Sequence, residues 1–112
     1  MNNKVNILGT EYAILYDVAP EDMPENCDGC MDQSIKTISI AKIEPSRNSV
    51  KDLDDYKKKV LRHEITHAFL YESGCCVCSG STDAWGMDET VTDWIAIQSP
   101  KLFKAFQDVG CL

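Results

Sequence analysis

Basic residues are scarce in this chain: 11 lysines and arginines stand against 18 aspartates and glutamates, for a net charge of −7. A surface of that sign repels a phosphate backbone, so nucleic acid is not an expected partner. Long apolar runs are missing as well. No stretch approaches the roughly 20 apolar residues that a bilayer crossing needs. The opening residues, Met1 to Asn6, lack the apolar core of a secretory signal. No membrane role is expected, therefore, and the cytoplasm is the expected compartment. In such a reducing setting the six cysteines would be thiols or metal ligands in preference to disulfides. Histidine occurs only twice, at His63 and His67. Any metal centre must then take its remaining ligands from carboxylates or cysteines.

What is present suits one α+β domain over residues 1–112. A hydrophobic fraction of 44% is ordinary for a chain of 112 residues that buries a single core. Val5 to Leu8 and Tyr12 to Val18 are apolar and rich in branched and aromatic residues, and Gly9-Thr10 between them can turn the chain. This pattern predicts a β-hairpin. Ala19 to Gln33 has two prolines, five acids and Gly29 without a period, and reads as a loop. Lys36 to Ile43 alternates, with Ile38 and Ile40 on one side, and predicts a half-buried strand. About three strands are thus expected.

A long helix should follow, capped by Ser49, with Asp52 in its first turn, and stopping before Gly74. Leu53, Tyr56, Val60, Leu61, Ala68, Leu70 and Tyr71 form a broad face, whereas Ile65 and Phe69 fall outside it. Such a helix should pack on two sides, against the sheet and against another helix. Cys75 to Gly86 reads as a loop. A second helix is expected over Asp88 to Gln98. Ser99-Pro100 reads as the cap and first residue of a third, carrying Leu102, Phe103, Phe106 and Val109.

Both histidines fall in His63-Glu64-Ile65-Thr66-His67. Residues four apart on a helix lie one turn apart on the same side, so the two imidazoles can aim at one point. Glu64 lies about 100° round the axis and sits beside that point. Two neutral nitrogens suit Zn²⁺, which takes four ligands in a tetrahedron and in catalytic sites leaves one place to water. The third protein ligand must come from the cysteines or carboxylates after Gly74. Glu89 stands out because Asp93 follows one turn later, a spacing that supplies a ligand and a partner for a ligand's outer N–H. Glu89 is therefore the expected third ligand and Asp93 the group that orients His63. One zinc would acidify its water, and Glu64 would accept that water's proton and pass it to the leaving amine.

Arg62 to Leu70, together with Glu89-Thr90-Val91-Thr92-Asp93-Trp94-Ile95-Ala96, resembles the glutamate-type zincins. The pattern is most similar to the small zinc peptidases of phages and mobile elements, the ImmA/IrrE-like group. Thr92 stands where that group usually has Ala, and Ile95 where it has Phe. The resemblance implies a minimal zincin fold, with a small sheet beside the helix of the histidines. It implies His63, His67 and Glu89 as ligands, Glu64 as base, and a protein or peptide as substrate. By analogy with better-known members that substrate would be a repressor-like regulator. It also implies a substrate strand pairing with an edge of the sheet over the metal, for which Lys36 to Ile43 is the candidate.

Other features stay open. Cys27-x-x-Cys30 has the spacing of a metal knuckle that Cys75 and Cys78 could complete as a second site, or these are free thiols. Tyr71 shares the zinc-facing side of its helix and could steady a tetrahedral intermediate, or it is core with its hydroxyl at the rim. Trp85 and Trp94 read as packing residues. Lys57-Lys58-Lys59 reads as a solvated face from which one turn could meet an acidic substrate. Two functions fit the whole: a metallopeptidase acting on an intracellular protein, or a zinc-stabilised binding module of phage origin that does not cut.

Overall fold

The computed structural model describes residues 2–45, 51–74 and 89–108. It has an α+β architecture: a four-stranded sheet covered on one face by a helix, with a second helix packed on the first. The strands are β1 (Lys4–Ile7), β2 (Thr10–Val18), β3 (Gly29–Asp32) and β4 (Thr37–Ala41). They lie in the order β1-β2-β4-β3. The β1 and β2 strands are antiparallel, β2 and β4 parallel, and β3 and β4 antiparallel.

The hairpin between β1 and β2 turns on Leu8 and Gly9, one residue earlier than expected. Both have positive φ, 52° and 93°. That is the twist a two-residue hairpin loop requires, and glycine adopts it without a Cβ penalty. The Gly9 N–H donates to Asn6 Oδ1 at 2.8 Å, closing the turn.

Alternation in β2 and β4 sends Tyr12, Ile14, Ile38 and Ile40 to the helical side, where Ile7 and Val60 join them in the core. Each fully buried aliphatic side chain contributes about 1.5–3 kcal/mol. The opposite face of the sheet is open, and Leu15 there is 50% exposed.

The first helix, α1, runs from Leu53 to Glu72. Asp52, not Ser49, caps it, and its side chain accepts the Asp55 N–H at 3.0 Å. Ser49 lies outside the described residues. The helix closes through the Ser73 N–H on the Phe69 carbonyl, and Gly74 follows with φ 90°, the left-handed position expected for it. As anticipated, α1 packs on two sides, against the sheet and against α2. Phe69 is part-exposed, in keeping with its place off the main apolar face.

Three expectations need correction. The described residues hold four strands, close to the expected number, but the segment expected as a loop, Ala19 to Gln33, contains one of them, Gly29–Asp32, paired with β4. Four residues are too few to show an alternation, and the flanking prolines and acids hide them. Second, Glu89–Asp108 forms a single helix, α2, with Pro100 inside it. The two helices expected there are one, so the described residues hold two α-helices, besides a short 3-10 turn at Pro20–Asp22. Third, β4 lies between β2 and β3 and is no edge; on that side the edge is β3. Among the described residues no helix is long and apolar enough to cross a membrane.

Glu72 ties the end of α1 to the sheet. Its Oε2 accepts from the Tyr12 hydroxyl and from Lys36 Nζ, each at 3.0 Å. The Lys36 ammonium, with help from Thr10 and Tyr12, holds the Glu72 carboxyl below its usual range. Burial, and then the bond to Glu72, push the Tyr12 hydroxyl up to about 12. A carboxyl depressed in the folded state stabilises above its unfolded pKa, and that contribution is lost as pH falls through the folded value. Glu72→Gln is therefore expected to melt below the wild type at pH 7. The gap should close as the pH is lowered past the ordinary carboxylate range, which thermal melts across pH 2–7 would follow.

Candidate metal centre

The helix α1 presents His63 and His67 one turn apart, with ring centroids 4.8 Å apart and planes at 77°. Helix α2 runs antiparallel to α1, pairing Ala96 with Arg62, Asp93 with His63 and Glu89 with His67. His63 Nε2 lies 2.7 Å from Glu89 Oε2, and His67 Nε2 lies 3.1 Å from Glu89 Oε1. One carboxylate thus meets both imidazoles, each at the nitrogen farther from its backbone. The ligand atoms of His63, His67 and Glu89 all fall within 4.8 Å of one another. These three residues could hold a metal ion.

The donor set fits a divalent ion of intermediate softness: two neutral nitrogens and one carboxylate oxygen, leaving room for a fourth ligand. The outer atoms fit in part. His63 Nδ1 lies 3.2 Å from Asp93 Oδ1, the partner a metal-ligating histidine needs for its second nitrogen. His67 Nδ1 is buried and has no such partner among the described residues. The Asp93 oxygen that meets His63 also lies 3.3 Å from Lys59 Nζ. Partial burial raises the Asp93 carboxyl, but the Lys59 and His63 contacts outweigh it and hold it below its usual range. Asp93 is thereby kept as an anion behind His63.

Glu64 lies beside the two histidines on the side of α1 that faces β3, and is only 7% exposed. Burial pushes its carboxyl up to about 7; the nearby His63 opposes this, Glu89 adds to it, and a hydrogen bond from the Met31 backbone opposes it again. That bond places the outer edge of β3 against Glu64. Gly29 makes the approach possible. A Cβ on Gly29 would stand 2.7 Å from Val60 Cγ1 and 2.9 Å from Glu64 Cγ. A cavity of about 240 Å³ opens here between β3 and the helices, lined by Gly29, Tyr56, Lys59, His63, Glu64 and Glu89 among others. On the far side of His63 a wider groove of about 580 Å³ runs along α2, past Glu89, Asp93, Trp94 and Ile97.

The expected residues are not all brought together. His63, Glu64, His67, Glu89 and Asp93 converge. Tyr71 sits apart, its ring 5.3 Å from the Lys36 ammonium, and lines neither cavity beside His63. Cys27 and Cys30 are free thiols. The Cys30 thiol is pushed up first by burial and then by Glu64, Asp32 and Cys27, which disfavours the thiolate a metal requires. Cys75, Cys78 and Trp85 lie outside the described residues.

Some site residues escaped the sequence. From the sequence, Lys59 falls on a solvated face, whereas it meets Asp93. Trp94, read as packing, is 54% exposed and lines the groove beside Glu89. The i, i+4 spacing of Lys59 and His63 on α1 was the available signal for the first. For Gly29 and Met31 there was none, because β3 itself went unseen. Comparison of the chain with protein-family models, with curated proteins and with solved structures finds no match.

Two outcomes test this centre. Glu89→Ala should abolish stoichiometric uptake of a divalent ion, and Asp93→Ala should weaken it by about 10–100-fold, both read by metal analysis and chelator competition. Gly29→Ala should lower stability by about 1–3 kcal/mol through overpacking against Val60 and Glu64, measured by chemical denaturation.

Proposed function

We propose that this chain is a zinc metallopeptidase of the glutamate type, with His63, His67 and Glu89 as metal ligands and Glu64 as general base. The observation that carries the reading is the Glu89 carboxylate lying against both imidazoles while Asp93 backs His63. Two histidines one helical turn apart occur by chance. A carboxylate from another helix that meets both of them, followed one turn later by an acid on the outer nitrogen of one, satisfies the separate conditions of a working site.

Zinc bound there supplies Lewis-acid chemistry, polarising a carbonyl and acidifying water. The protein's own groups do the rest. Glu64 is buried against β3 and has its carboxyl raised to about 7, the range in which a carboxylate both accepts a proton and returns it near neutral pH. The Met31 N–H holds Glu64 in place. Asp93 keeps the His63 proton on Nδ1, so that Nε2 offers its lone pair. The outer edge of β3 borders the cavity and can take up an extended peptide by strand addition, the role assigned from the sequence to Lys36 to Ile43. A protein or peptide of the cell interior is the substrate class, and the similarity to ImmA/IrrE-like peptidases of mobile elements favours a repressor-like regulator.

A second reading, a zinc-stabilised binding module, draws on the exposed apolar side chains of α2, Val91, Trp94 and Ile97, beside the site. One substitution separates the two. Glu64→Gln should retain one zinc per chain and lose peptide hydrolysis by at least about 100-fold, scored by mass spectrometry of a peptide library. Hydrolysis at the wild-type rate in that variant would rule out the peptidase mechanism.

A further inference from the structure

Pro100 lies inside α2. A proline has no N–H, so the carbonyl four residues earlier, that of Ala96, loses its helical donor. Ala96 is fully buried, and a bare carbonyl there would cost as much as a lost hydrogen bond. The vacancy is filled from the other helix: Arg62 Nε donates to the Ala96 carbonyl. Arg62 directly precedes His63 on α1. Ala96 lies three residues beyond Asp93 and seven beyond Glu89, one and two turns along the same face of α2.

We infer that Arg62 is a positioning residue for the metal ligands. Through the main-chain carbonyl that Pro100 leaves free, it sets the rotation and depth at which Glu89 and Asp93 meet His63 and His67. The inference rests on the zinc-site reading above. A contact to a backbone carbonyl constrains α2 more tightly than one to a side chain, since no rotamer change can absorb a shift. The helix needs such a constraint. Among the described residues it packs chiefly on α1, and the short ligand contacts at Glu89 tolerate little sliding. The two residues are complementary: proline creates an acceptor that the helix cannot satisfy, and arginine supplies the donor one residue away from a ligand.

The test is a double-mutant cycle on the full chain, with zinc affinity measured by chelator competition and thermal melting of the zinc-free proteins as control. Arg62→Met should weaken zinc by about tenfold, although removal of a positive charge near a cation site would by itself strengthen it. In a Pro100→Ala background the N–H of residue 100 returns to the Ala96 carbonyl, and the same substitution should then cost less than about threefold. Arg62→Lys, which keeps the charge and lacks the Nε–H, should show the same pattern and serves if Arg62→Met does not fold. Equal losses in the two backgrounds, or wild-type affinity in Arg62→Met and Arg62→Lys, would overturn the inference and leave the zinc site standing. A wild type that takes up no zinc would overturn both.

Discussion

The centre of this structure is a single carboxylate placed against two imidazoles across a helix–helix interface. Each histidine is positioned by α1, which the sheet holds through Ile7, Ile14, Ile38, Ile40 and Val60. The carboxylate comes from α2, which leans on α1. Among the described residues, the site therefore has one half held by the sheet and one half placed by the contact of α2 with α1. Polar groups hold that interface to an unusual degree: Lys59 on Asp93, Asp93 on His63, Glu89 on both histidines, and Arg62 on the Ala96 backbone. Buried or half-buried polar contacts of this kind add less stability than apolar packing, but they have directional requirements and so select one register.

The acidic character of the chain makes these cations informative. Lys57 and Lys58 meet Asp17 and Asp54 at the surface, pairs of small energetic consequence. Lys59, one position on, faces α2 and holds Asp93 beside His63. Three identical residues in a row thus do different things because each lies about 100° further round the helix. Glu64 illustrates the same geometry. One step from His63, it sits on the sheet side of the cavity that His63 and Glu89 also line, where Gly29 leaves room for it and the Met31 N–H binds it.

The sequence was least informative where a local rule was overridden by packing. Pro100 reads as a helix start, but the helix continues through it, and Arg62 donates to the carbonyl that proline leaves without its helical donor. The β3 strand is short and lies among prolines and acids, and only its pairing with β4 makes it a strand. Thr92 is fully buried, and its hydroxyl has no partner among the described residues. The sequence pattern alone would have placed a small apolar residue there.

What the sequence determined by itself is whatever covalent connectivity and helical periodicity impose over a few residues: the shared side of His63 and His67, the offset of Glu64, the i, i+4 pairing of Glu89 with Asp93, the alternation of β2 and β4, and the stop at Gly74. Those relations hold in any fold that contains the elements. The tertiary structure alone decided that Glu89 reaches both rings, that β3 and not β4 forms the edge above Glu64, that Tyr71 faces Lys36, and that Arg62 meets Ala96. Such contacts join residues 20 to 40 positions apart. Their formation depends on which apolar faces bury most area against each other, a sum over the whole chain that no local spacing encodes.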